Sequence, residues 1–278
     1  MKISDCRWLW RAMAPSLVFA AGLAGCGGGS SGTAIIPVPV AVGGSTPPPA
    51  APQVNEGTVR KWGYLTLPDG NKMRYTVLLP RATGTFPVLI EYDGYGSGVV
   101  ADEAPNWVPE GYAVMGLNVP GTGCSSGDDQ VFDATVGAAG AFAVEWAAQQ
   151  PWSSGKVGMV GYSYPGYNQQ WVAAQRPKGL VAIALGKNVT DPYRDVGYPG
   201  GIQNIGFPAA WWGRFPDIWR TSAEDAARLD GDTECARNVR DNIEKIKRPD
   251  LDLVNWLDND PHYGARYAKK SAILVTGN

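Results

Sequence analysis

One segment constrains this chain more than any other: Lys156-Val-Gly-Met-Val-Gly-Tyr-Ser-Tyr-Pro-Gly-Tyr167. A short apolar run, Val157 to Val160, meets a glycine, and Ser163 follows two residues later. Apolar residues that stop at Gly-x-Ser and resume as a helical pattern predict a strand, a sharp turn and a helix. Such a turn lifts the serine hydroxyl above the sheet edge, where small neighbours relieve backbone crowding. Pro165 then falls in the first helical turn, where a missing N–H costs nothing. The alternative is a glycine-rich β-α turn whose serine only caps a helix. Gly-x-Ser alone does not decide between the two.

The flanking blocks weigh on that choice. Upstream lie Glu145-Trp-Ala-Ala-Gln-Gln-Pro-Trp-Ser-Ser-Gly-Lys-Val-Gly-Met159, Asn118-Val-Pro-Gly-Thr-Gly-Cys-Ser-Ser-Gly-Asp128 and Val88-Leu-Ile-Glu-Tyr-Asp-Gly94. In this order, with Gly161-Tyr-Ser163-Tyr-Pro-Gly166, they resemble the cocaine-esterase/X-Pro dipeptidyl-peptidase (CocE/NonD) family of α/β-hydrolases. The resemblance runs from about Val59 to Asn278 and departs at Pro120, where the family usually has arginine. It implies an α/β-hydrolase fold: a mixed, mostly parallel sheet flanked by helices, with a helical cap insert. It also implies roles. Ser163 would be the nucleophile, the Tyr164 backbone N–H one oxyanion donor, and the Tyr92 phenol the second, aimed at developing negative charge.

Hydrophobic patterning agrees with an α/β core. Val59–Leu67 and Met73–Leu79 alternate around the Pro68-Asp-Gly70 turn signal, predicting a hairpin. Residues 87–92, 112–119, 156–160 and 180–185 predict short buried strands, and 132–149 and 164–175 predict helices. From residue 188 to 266 strand patterns give way to helical ones with an aromatic cluster, the expected cap. Within it, Thr221-Ser-Ala-Glu224 reads as a capping box opening a helix, and residues 233–247 as a second helix. Trp211 and Trp212 are candidates to line an acyl pocket there. Asp191 and Asp195 stand at the cap entrance without the carboxylate pattern that would anchor a substrate amine.

The two ends carry separate information. Residues 1–26 combine Lys2, Arg7 and Arg11 with the apolar run Ala12–Leu23, too short to span a bilayer and suited to a signal peptide. It ends in Leu23-Ala-Gly-Cys26, which looks like a lipobox with Cys26 as the lipidated residue. Residues 27–56, rich in Gly, Pro and Ala, predict a flexible tether. Residues 57–187 are then the core, 188–266 the cap, and 267–278 a return to the core. A lipid-anchored protein of the bacterial cell envelope, or a secreted one, is the expected setting. Cys124 and Cys235 are then free to pair in an oxidising compartment, though sequence does not show that they meet.

The chain has a single histidine, His262, in Asn259-Asp-Pro-His-Tyr263. In this fold the acid and base follow the nucleophile in chain order, the histidine last. His262 precedes Ser271-Ala-Ile-Leu-Val-Thr-Gly-Asn278, which resembles the strand leading to the catalytic acid, so it is read as a packing residue. The expectation is a C-terminally truncated family member whose final strands, catalytic Asp and His lie beyond Asn278. No cofactor and no metal are expected: a lone histidine without metal-spaced cysteines argues against a zinc site, and the glycine-rich loops lack P-loop spacing. A formal net charge of -2 with no basic stripe argues against nucleic acid. The expected partner is a small ester, amide or peptide substrate. Three functions stay open: a serine esterase or acylase, an X-Pro dipeptidyl-peptidase, and an inactive hydrolase-fold lipoprotein that binds a ligand.

Overall fold

Alternating side chains around a Leu67–Asn71 turn start the sheet. In a computed structural model describing residues 57–128 and 133–272, β1 (Val59–Thr66) and β2 (Lys72–Leu79) pair antiparallel, Val59 opposite Leu79. The turn closes through Gly70 N–H to Leu67 O at 2.9 Å, with Gly70 at φ +86°, a region open to glycine. The next strand, β3 (Phe86–Asp93), leads over the short α1 (Ala104–Trp107) to β4 (Ala113–Asn118), which is buried at every position. Continuous burial is what strands covered on both faces require. Helix α2 (Thr135–Ala148) crosses back to β5 (Ser153–Tyr162); α3 (Tyr164–Ala174) then returns the chain to β6 (Leu180–Gly186).

The sheet order is β1-β2-β4-β3-β5-β6, with β4, β3, β5 and β6 parallel. From β3 the chain steps to one side for β4 and to the other for β5. Strand order therefore reverses at the β3/β5 boundary, and the C-terminal ends of those two strands flank a crevice of the kind where α/β sheets bind ligands. The fold is that of an α/β-hydrolase. On the outermost described strand, β6, Val181, Ile183 and Leu185 are exposed.

Beyond β6 the described chain has no further strand. A π-turn at Tyr193–Gly197 and a single 3-10 turn at Pro199–Gly201 precede α4 (Phe207–Trp212), α5 (Phe215–Asp230) and α6 (Glu234–Lys245). Helices α7 (Leu253–Asn259) and α8 (Ala265–Lys270) follow. The capping box expected at Thr221 is not a helix start, because α5 begins six residues earlier with Pro216 in its first turn. Ser222, inside that motif, donates instead to the Ile218 carbonyl one turn back, as mid-helix serines do. Proline at a first turn and the helical spacing of the buried face, Phe215, Trp219, Ser222 and Ala226, outweigh a four-residue pattern that also fits a helix interior. The cap at α6 comes from Asp232, whose carboxylate accepts from Glu234 and Cys235 N–H at 3.0 and 3.2 Å.

Among the linkages that tie these helices to the sheet, two join distant parts of the chain. Cys124, in the loop after β4, is disulfide-bonded to Cys235 at the start of α6. Closing a loop of that span removes about 4.7 kcal/mol of unfolded-chain freedom in the chain-entropy picture. The second linkage is ionic. Fully buried Arg74 of β2 contacts Asp230 at 2.6 Å and Asp232 at 2.9 Å, Arg60 of β1 joins Asp230 at 2.7 Å, and the Tyr64 hydroxyl donates to Asp232 at 2.8 Å. Every carboxylate in that corner has a partner, as buried charge demands. Residues 1–56, with Cys26 and the expected tether, lie outside the described residues, as do residues 273–278 of the strand expected over Ser271–Asn278.

Candidate active site

Ser163 is the first residue past β5 and adopts φ +71°, ψ −117°. A side chain in that region costs of order 1–3 kcal/mol and persists only where the surroundings hold it. Here they do. Ser163 N–H bonds the Gly186 carbonyl at the end of β6 at 2.9 Å, and the Ser163 carbonyl accepts the first bond of α3, from Tyr167 N–H at 2.8 Å. The flanking glycines are sterically required: a Cβ on Gly161 would stand 2.5 Å from the Pro165 Cβ, and one on Gly166 2.5 Å from the Gly186 oxygen. This is a strained strand-turn-helix, a geometry able to present a serine hydroxyl at the sheet edge.

Beside it, β3 ends one strand over, with Ile90 in register opposite Met159. Tyr92 still belongs to β3. It is fully buried, and its hydroxyl donates to the Val136 carbonyl in α2 at 3.1 Å. The expected second phenol is therefore not Tyr92. A side chain inside a strand points to a sheet face, here toward α2, whereas a group serving the sheet's edge must come from beyond the strand. Tyr95 does so. Asp93 accepts from Tyr95 and Ser97 N–H at 3.0 and 3.2 Å, and this turn swings Tyr95 over the elbow. Its oxygen accepts from the Tyr164 N–H and from the Trp211 indole N–H at 2.9 Å, and the hydroxyl is also hydrogen-bonded with the Ser163 hydroxyl. Burial raises the phenol's pKa above its ordinary value, and these hydrogen bonds oppose the rise.

The sequence held a signal for Tyr95 that the Tyr-Asp block obscured: the tyrosine sits two residues beyond an aspartate able to form the turn. Gly94 between them admits the Tyr164 ring, since a Cβ there would lie 2.3 Å from it. Of the pocket candidates, Trp211 is half-buried against Tyr95 and Tyr164, whereas Trp212 is buried on Phe215 at 5.2 Å in the helical layer's core. His262 is exposed between α7 and α8, and no hydrogen bond among the described residues joins it to Ser163.

The strand under this turn carries two unusual carboxyls. Burial pushes the pKa of Glu91 well above the carboxylate range, with the neighbouring Asp93 charge adding to it; burial likewise raises Asp93, against its hydrogen bonds from Ser97. The folded protein then holds these protons more tightly than the unfolded chain. Their contribution to stability is complete below about pH 4 and is lost as pH rises through the elevated folded values. The melting temperature is expected to fall between roughly pH 5 and 8 on this account. Glu91→Gln keeps an acceptor for the Glu103 N–H, 3.1 Å from the carboxylate, and should flatten that fall. Parallel melting curves for the two proteins across the range would contradict the assignment.

Comparison with known proteins places the chain. Residues 69–274 match the X-Pro dipeptidyl-peptidase (S15) family. A cocaine esterase from a Rhodococcus species is 32% identical over 170 residues, covering 57% of this chain and 29% of that enzyme. A CocE/NonD family hydrolase from Staphylococcus aureus superposes with a TM-score of 0.59 at 22% identity, over 79% of this chain and 39% of that one. An alpha-amino acid ester hydrolase superposes with a TM-score of 0.57 at 19% identity, over 84% and 42%. The chain thus spans less than half the length of each of these relatives. An elbow serine on a hydrolase sheet, within a match that takes in most of the chain, makes this protein a member of the X-Pro dipeptidyl-peptidase (S15) family.

Proposed function

We propose that this protein is a serine hydrolase cleaving acyl ester or amide bonds through an acyl-enzyme on Ser163. The observation that carries the reading is the convergence of Ser163, held at φ +71°, with the Tyr95 hydroxyl and the Tyr164 N–H. Ser163 Oγ attacks the substrate carbonyl carbon, and the carbonyl electron pair moves onto oxygen. The Tyr95 O–H, released from Ser163, and the Tyr164 N–H, released from the Tyr95 oxygen, then donate to that oxyanion, and donors already held in place stabilise it without reorganising water. Collapse re-forms the carbonyl and breaks the bond to the leaving alcohol or amine, which takes up a proton. Water repeats the sequence on the acyl-enzyme and frees the acid. A general base accepts the Ser163 proton and returns it to the leaving group; in the sequence reading that base lies beyond Asn278.

Esters are favoured over amine-anchored peptides by the state of Asp191 and Asp195. Asp195 accepts from Thr190 and Asp191 N–H, and Asp191 accepts from Tyr193 and Arg194 N–H and pairs with the Arg194 guanidinium. Both carboxylates are committed to their own turn, which leaves little to hold a substrate ammonium. The test is a panel of p-nitrophenyl acyl esters against Ala-Pro-p-nitroanilide, using the natural full-length protein. Higher kcat/KM on the esters supports the reading, and faster cleavage of the anilide favours the peptidase alternative. Turnover of neither substrate by folded protein leaves the non-catalytic binding protein.

Lipid attachment at Cys26 in the cell envelope belongs to the same proposal. It is supported by Leu23-Ala-Gly-Cys26 and by a disulfide that suits an oxidising compartment. Labelled palmitate should enter the wild-type protein and not Cys26→Ala; equal incorporation would rule the anchor out.

A further inference from the structure

The oxyanion phenol is carried by a loop, and two tryptophans of the helical layer hold that loop. Trp219 of α5 donates from its indole nitrogen to the Gly94 carbonyl at 2.7 Å, fixing the backbone just before Tyr95. Trp211 of α4 donates to the Tyr95 oxygen itself at 2.9 Å. Phe215 stacks on the Tyr95 ring, with centroids 5.6 Å apart and planes 23° from parallel. We propose that Trp211 is a positioning residue for the reaction: its N–H fixes the direction of the Tyr95 O–H, so seating α4 on the sheet assembles the oxyanion site. The inference rests on the serine-hydrolase reading above and gives Trp211 a task other than lining an acyl pocket.

The chemistry of the two groups supports it. An indole nitrogen only donates, whereas a phenol oxygen both donates and accepts. With Trp211 donating to the Tyr95 oxygen, the phenol proton is left for an acceptor on another side, and Ser163 is on hand there. The same bond polarises the phenol and makes it a stronger donor, because linked hydrogen bonds reinforce one another. The indole edge that bears the N–H is turned to Tyr95, so what substrate meets there is aligned by Trp211 rather than bound by its nitrogen.

Trp211→Phe separates this role from packing, since phenylalanine keeps an aromatic ring and removes the donor. On an acyl ester, the natural full-length protein carrying Trp211→Phe is expected to lose about tenfold in kcat with KM within about twofold, the pattern of an interaction lost in the transition state. In a Tyr95→Phe background the same substitution should cost nothing further, because it acts only through the missing hydroxyl. Without any turnover, the contact still reads out: the Trp211 indole N–H resonance should move upfield in Tyr95→Phe as its acceptor disappears. An unchanged kcat in Trp211→Phe, a tenfold loss that persists without the Tyr95 hydroxyl, or an unmoved indole resonance would each overturn the inference. A folded wild type that hydrolyses no ester and is not modified at Ser163 by a fluorophosphonate would remove the hydrolase reading, and the positioning role with it.

Discussion

Ser163→Ala is expected to lower kcat on an acyl ester by about a million-fold, the scale of losing the nucleophile of a serine enzyme. The fold should survive, because alanine deletes one oxygen and leaves the backbone bonds from Ser163 N–H to Gly186 and from Tyr167 N–H to the Ser163 carbonyl intact. Ser163→Gly sharpens the experiment. Glycine adopts φ +71° without the steric cost that serine bears, so this variant should be as inactive as Ser163→Ala yet more stable by roughly 1–3 kcal/mol. An inactive, stabilised protein is the signature of backbone strain kept for chemistry. A Ser163→Gly variant less stable than wild type would mean that the elbow geometry is unstrained or that the hydroxyl supports the fold.

The second large effect separates two tyrosines three residues apart. Tyr95→Phe is expected to lower kcat by about 10²–10³-fold with little change in KM, the range for losing one oxyanion donor. Tyr92→Phe should leave kcat within a few-fold and instead cost stability. It removes a buried donor from the Val136 carbonyl, a loss of about 1–3 kcal/mol. Denaturant melts and ester kinetics on both variants give a crossed pattern: one impaired in rate, the other in stability. The opposite crossing would restore Tyr92 to the oxyanion site.

That pair of residues also shows what the sequence makes legible. The elbow could be read because it is local: strand, glycine, serine, proline and glycine act within six residues, and each has a backbone reason to be there. The alternating hairpin and the apolar strands were legible on the same terms. Identifying the phenol needed a fact that is not local. A strand end had to be known to the residue, because a side chain before it faces α2 and one beyond it faces the elbow. The Asp93 turn makes that difference, and an Asp-Gly-Tyr sequence does not announce it. The Arg74–Asp230–Asp232 corner was illegible for a related reason, since its members lie more than 150 residues apart and meet only once α5 and α6 have folded back on the hairpin. At Thr221 a four-residue motif was read where sixteen residues of helical spacing decide the matter. The pairing of Cys124 with Cys235 was open for the same reason of distance, 111 residues.

The central claim is that Ser163 is a nucleophile activated by its surroundings. The measurement that tests it most directly is covalent modification of the natural full-length protein by a fluorophosphonate, with the modified peptide identified by mass spectrometry. The account predicts one adduct, on Ser163, that is lost in Ser163→Ala and after thermal unfolding, and that forms more slowly in Tyr95→Phe. A folded protein that carries no adduct, or carries it equally on other serines, would contradict it.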